Sequence, residues 1–162
     1  MGPRCAPSSP GCNPVALNSI REQILLAVMA AMRPSATSLG ATLHRSPAVA
    51  ITREQCPALV VFPESEAITE RANDRVTREL TVRITALARA VPPAAPETAA
   101  DELLTAAHAA LMADVNLGGL ALAIREIECE WDVEDADAVA AAIPARYRIS
   151  YRTLAADLAT SG

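Results

Sequence analysis

The sequence predicts a two-layer α+β fold: an antiparallel, roughly four-stranded sheet with two helices packed on one face. Three observations carry this. Two segments, from Ser19 and from Thr98, repeat apolar residues at helical spacing. The stretch 75–90 alternates apolar and polar residues, as a strand with one wet face does. A last block, 120–154, reads as two alternating limbs around an acidic turn, which is a hairpin. Helices with one apolar stripe must seat on the dry face of such a sheet.

Residues 1–17, "MGPRCAPSSPGCNPVAL", are rich in proline and should form an irregular arm. That arm is either without fixed structure or ordered on a neighbouring subunit. The domain proper is placed at 18–155, followed by a short tail at 156–162. The first helix opens on Ser19 with Glu22 three residues later, the pattern of a capping box. Ile20, Ile24, Leu25, Val28, Met29 and Met32 form its stripe, and Pro34 is expected to stop it. "ATLHRSPAVAI" allows one or two short strands, although Pro47 makes a poor central one. Ala58–Phe62 is a short apolar run between prolines and reads as a buried strand. "ESEAITERAND" follows as a loop or a short strand leading into a turn at Asn73-Asp74.

In the long strand, Val76, Leu80, Val82, Ile84 and Ala86 share one face. Thr77, Glu79, Thr81, Arg83 and Thr85 share the other. It is far longer than the usual ~5–6 residues, so one end should project beyond the core. The second helix carries Leu103, Leu104, Ala107, Ala110 and Leu111, and ends near Gly118 and Gly119. In the final hairpin the apolar phase passes from Leu120, Leu122 and Ile124 to Ile127, Cys129 and Trp131. It slips by one residue at Arg125-Glu126, the mark of a β-bulge. "DVEDAD" makes the turn, and "ARYRISYR" returns with Ala145, Tyr147, Ile149 and Tyr151 on one side.

The chain has 162 residues, a net charge of -5 and no lysine. Such a balance disfavours a protein built to hold nucleic acid. Its length can bury a core without metal or disulfide, and its four cysteines form no CxxC pair. Reduced thiols are therefore expected. No apolar stretch approaches the ~18 residues of a membrane span. No catalytic motif, cofactor loop or metal constellation stands out. His44 reads as a surface histidine and His108 as a partly buried structural one. The chain is thus not expected to be an enzyme.

The remaining candidates are charged. Folding the hairpin about residue 138 sets Glu130 against Arg146 and Glu128 against Arg148, with Glu126 on the same face. Arg152 has no partner in that register. The plain reading of these rows is a solvated, ion-paired sheet face, and a grip on phosphates is disfavoured. The functional reading makes Arg146, Arg148, Arg152, Glu126, Glu128, Glu130 and Arg83 the candidate interface, a face striped with both signs and suited to docking against a complementary surface.

The element order resembles that of the small tail-terminator and tail-completion proteins of long-tailed bacteriophages. The pieces are "SIREQILLAVMAAM", "CPALVVFPESE", "RVTRELTVRITALA" and "LAIREIECEWDVEDADAVAAAIPARYRISYRT". The resemblance spans about 18–154. It implies a structural virion protein at the tail–neck junction, assembled in the host cytoplasm. It also implies a homohexameric ring that caps the tail tube protein and meets the head-completion or neck protein. DNA would pass through the lumen without specific binding, with no cofactor and no membrane. The alternatives are another neck or tail subunit, head-closure or tube-like, and a small-ligand or regulatory α+β domain.

Overall fold

In the computed structural model, residues 18–90, 93–130 and 140–162 are described. The expectations for the arm, the acidic turn and the seat of Trp131 fall outside them. The elements are α1 (Ile20–Ser38), β1 (Thr42–Arg45), β2 (Ala58–Ala72), β3 (Arg75–Arg89), α2 (Pro96–Met112), β4 (Ala123–Cys129) and β5 (Ala140–Leu154).

The architecture is α+β, with two helices on one face of a sheet of order β1-β2-β3-β5-β4. The sheet has five strands and is mixed, not four-stranded and wholly antiparallel. The difference is β1, which pairs parallel with β2 from Thr42↔Ala58 to Arg45↔Val61. A parallel neighbour needs a crossover of about a dozen residues, and residues 46–57 supply it. Four residues flanked by Gly40 and Pro47 are too short a pattern to show their direction in sequence.

The centre is β3 against β5, paired without a break from Arg75↔Leu154 to Arg89↔Ala140. β5 alternates strictly, and β3 does so from Leu80 onward. Val76, Leu80, Val82, Ile84 and Ala86 meet Ile143, Ala145, Tyr147, Ile149 and Tyr151 on the helix side, all buried. Ile24, Val28, Met32, Leu103, Leu104, Ala107 and Leu111 close the same core from the two helices. Each fully buried Leu, Ile or Val removes apolar area worth roughly 1.5–3 kcal/mol from water. Pro144 is tolerated within β5 because its backbone faces the end of β4. Its carbonyl accepts from Glu130 N at 2.9 Å, and no donor is needed beside it.

Several boundaries moved. Ser19 caps α1 by accepting from Glu22 N at 3.2 Å. The reciprocal half of the capping box is not formed, because Arg45 takes the Glu22 carboxylate at 2.6 and 2.7 Å. Pro34 does not stop α1. It sits on the exposed side, where water can satisfy the carbonyl one turn back, while Met32 and Ala36 stay buried. The helix ends in a Schellman motif instead. Gly40 takes φ 65, Gly40 N donates to Thr37 O at 3.1 Å, and Ala41 N donates to Ala36 O at 2.8 Å. α2 starts at Pro96, not Thr98, since proline suits a first helical position.

The segment after Phe62 is neither a loop nor a short strand. β2 runs on for 15 residues to the turn at Asn73-Asp74, with register shifts between Pro63 and Ser65 and between Ile68 and Glu70. Past Val61 it has no β1 beside it, so Pro63 costs no ladder bond there. β2, β3 and β5 each span 15 residues, about 50 Å of strand. The far part of β2 is exposed, whereas β3 is buried or half-buried from Val76 to Ala88, so the projection expected from the length of β3 is not seen there.

Where the apolar phase of β3 is interrupted, a polar cluster replaces it. Arg78 lies on the helix side, its side chain 12% exposed, 3.2 Å from Glu66 of β2. Glu66 also bonds Arg21 of α1 at 3.0 Å and accepts from the Tyr151 hydroxyl. Arg78 Nε donates to Thr153 Oγ1 at 3.1 Å. Burial, and then the Glu66 carboxylate, push the Tyr151 phenol above its usual pKa, so it stays a donor. A charge so nearly dry persists because it is paired and hydrogen-bonded.

Leu80→Ala is expected to cost about 2–5 kcal/mol in urea unfolding, and Tyr147→Asp to abolish the cooperative transition. A pH effect also follows. The hydrogen bonds from Arg45 lower the Glu22 pKa below its ordinary 4.5. A folded-state pKa below the unfolded one adds stability that is complete above 4.5 and fades as the pH falls through the folded value. Glu22→Gln should therefore be less stable at neutral pH and lose less on acidification, as followed by thermal melts.

Candidate assembly surface

The face of the sheet away from the helices carries most of the charged residues singled out above. Alternation in β3 and β5 places Arg83, Arg146, Arg148 and Arg152 there, with Thr77, Glu79, Thr81 and Thr85 between them. Arg146 is the hub. Its Nε donates to Glu64 of β2 at 2.9 Å and its Nη1 to Glu128 of β4 at 2.5 Å. Glu130 lies 3.5 Å away. Those carboxylates, Glu128 first and then Glu64, raise the guanidinium pKa further. Arg83 is 3.3 Å from Glu64 without hydrogen-bond geometry, and its guanidinium sits 5.1 Å from the ring centre of Phe62. Charge thus alternates across four strands, from Glu64 through Arg83 and Arg146 to Glu128 and Glu130.

Two further rows lie beyond it. Arg148 is 3.5 Å from Glu79. Arg152 donates to Thr77 Oγ1 at 3.2 Å and approaches Glu70 at 3.9 Å. Arg148 and Arg152 are substantially exposed, and Arg125 faces Arg148 across β4–β5 with no ion-pair partner among the described residues. Exposed pairs of this kind contribute little to stability. What they fix is a pattern of donors and acceptors that a partner surface can match.

The hairpin β4–β5 exists, but its register differs from the expected one. Glu128, not Glu130, pairs with Arg146 across the ladder, and Arg125, not Glu128, stands beside Arg148. The bulge lies between Glu126 and Glu128, at Ile127, rather than at Arg125-Glu126. Ile127 is consequently exposed and does not join the apolar face. Glu126 pairs with Tyr147 and so belongs to the helix side, not to the arginine row. Arg152 does have a partner. The partner comes from β2 and β3, which the hairpin alone does not reveal. Glu64, Glu70 and Glu79 complete the rows. The alternation of β3 marks Glu79, whereas Glu64 and Glu70 were hidden by reading 64–74 as a loop or a short strand.

His108 is half-buried on α2, with Nδ1 3.0 Å from the Tyr147 hydroxyl and 3.6 Å from Glu126. Cys129 and Asp101 line the same shallow pocket. Sequence spacing shows no partner for His108; the fold brings these in from β4 and β5. Desolvation and then the Glu126, Asp101 and Glu130 charges push the Cys129 thiol up, away from a reactive thiolate. Burial likewise keeps the Tyr147 phenol protonated. The group anchors α2 to the edge strand and offers no activated nucleophile. Among the described residues no cluster of His, Cys, Asp and Glu could hold a metal ion. His44 sits on β1 with Nε2 2.9 Å from Thr42 Oγ1. No helix among the described residues is long and apolar enough to cross a membrane.

The fold and the surface together define a two-layer α+β module with a dry helix face and a charge-striped outer face. No family model matches the chain, and no curated protein is similar to it. Among solved structures, it is similar to a chain of "Virion of native gene transfer agent (GTA) particle". The TM-score is 0.62 at 16% identity, covering 79% of this chain and 93% of that one. The likeness is one of fold.

Arg146→Ala would leave Glu64, Glu128 and Glu130 facing one another without the shared cation. Hydrogen exchange of the amides at 123–129 is expected to speed up, while the core strands keep their protection. Arg146→Lys should restore protection only in part, because an ammonium cannot fork between two carboxylates as guanidinium does.

Proposed function

We propose that this chain is a structural subunit of a phage-like virion, acting as a tail terminator. In this reading it closes into a homohexameric ring on the end of the tail tube and presents a second surface to the neck. It works by surface complementarity, without turnover. The observation that carries it is the fold shared with a chain of the gene transfer agent virion, over nearly all of that chain. That likeness is to a component of the particle and fixes no position within it. Another neck or tail subunit of the same fold is therefore the second reading.

A ring needs a heterologous interface that closes on itself. Direct pairing of the two open sheet edges is a poor candidate. The outer edge of β4 carries Glu126 and Glu128, and the outer part of β2 carries Glu64, Glu66 and Glu70. Strand addition would set like charges side by side, and the irregularities at Glu64, Thr69 and Ile127 turn both edges from a flat template. The contact falls instead to the striped face, where Arg125, Arg148 and Arg152 are accessible. The net charge of -5 suits a lumen through which DNA slides without adhering.

Sedimentation of the purified chain, alone and with purified tail tubes, tests the reading. Hexamers, or co-sedimentation with tubes, are expected. A stable dimer indifferent to tubes would refute it, and antibody labelling of whole particles separates the terminator from other neck positions. Arg148→Glu and Arg152→Glu should melt near the wild-type temperature yet assemble poorly. Wild-type assembly by both would remove the striped face from the interface.

A further inference from the structure

The striped face is polar over only part of its length. Beyond Arg83 it becomes apolar, and residues 47–51 arch over it. The groove beneath has a volume of about 360 Å³ and is framed by Pro47, Ile51, Phe62, Leu87 and Pro144. Its one charged neighbour, Arg83, is already matched to Glu64. Val49, at the crest of the arch, is 76% exposed. The groove has Thr85 and Arg83, whose Nε is buried without a hydrogen-bond partner among the described residues, as its polar lining, fewer convergent polar groups than a small-molecule site gathers. It asks for an apolar, uncharged strip of chain.

We propose that the occupant is the N-terminal arm of the same chain, residues 1–17. Its composition fits: prolines at 3, 7, 10 and 14, no carboxylate, and Arg4 as its one charged side chain. Proline-rich segments are pre-organised as extended polyproline helices and dock into grooves framed by aromatic rings. Phe62, the only phenylalanine of the chain, supplies such a ring.

The first turn of α1, where the arm begins, is held at two points. Arg45, the last residue of β1, grips Glu22 in the first turn of α1. The arch begins two residues later, at Pro47, after Ser46 turns the chain with φ 41 and donates its N–H to Val61 O at 3.0 Å. Ile20 N also donates to Leu158 O of the C-terminal tail at 2.8 Å, so the arm leaves from the helix side, between that tail and the β1 edge, and must round the edge to enter the groove. At ~3.1 Å per residue it reaches about 50 Å, against a layer spacing of about 10 Å to be rounded. So short a tether gives an effective concentration of order millimolar, which favours a chain's own arm over that of a second copy. The inference does not depend on the virion reading.

The test uses the native Cys5 and Cys12 in the full-length chain carrying Cys56→Ser and Cys129→Ser. Val49→Cys places a thiol on the arch, and Leu26→Cys places a control thiol on the exposed side of α1. After mild oxidation, disulfides are mapped by mass spectrometry. The expected result is an intrachain bond to position 49, forming roughly tenfold faster than to position 26 and independent of protein concentration. Equal rates at the two positions, no bond at 49, or bonds only between chains would each overturn the proposal. The last would assign the groove to the arm of a second copy.

Discussion

The unbroken pairing of β3 with β5 is the constraint on which the rest depends. A strand's side chains alternate with a period of two, so one fixed register decides at a stroke what both faces contain. Here it sends valine, leucine, isoleucine and tyrosine to the helices and threonine, glutamate and arginine to the outside. Slipping β5 by one residue would bury Arg146 and Arg148 beneath α2. The cost of desolvating two guanidinium groups forbids that arrangement.

Much of this was legible because β3 and β5 spell out their alternation for many residues. Helix stripes were legible for the same reason. What was not legible lies where the deciding partner is distant in sequence. Pro34 reads as a helix stop until it is seen to face water, and Gly40, the true terminator, is then obvious. Pro63 hid the second half of β2, because a proline argues against a strand unless one edge is known to be free. The hairpin register was misjudged by the position of one bulge. Moving it to Ile127 gives Arg146 to Glu128, sets Arg125 beside Arg148 and carries Glu126 to the other face. Of the candidate interface residues, the arginines fell where alternation placed them. The glutamates that balance them come partly from β2, which the hairpin read alone could not supply.

The two faces handle charge in opposite ways. On the helix side, Glu66 gathers Arg21, Arg78 and the Tyr151 hydroxyl into one nearly dry cluster where the helices stop covering the sheet. That cluster is local and structural: it closes the end of the core. On the outer side the pairs are spread in rows across four strands, each loosely held and wet. Dispersed pairs of this sort add little to folding.

The cations of that outer face are guanidinium groups without exception, since the chain has no lysine. Alkali cannot discharge them at any pH a protein survives. The positive half of that pattern is therefore permanent over the whole range in which the chain stays folded.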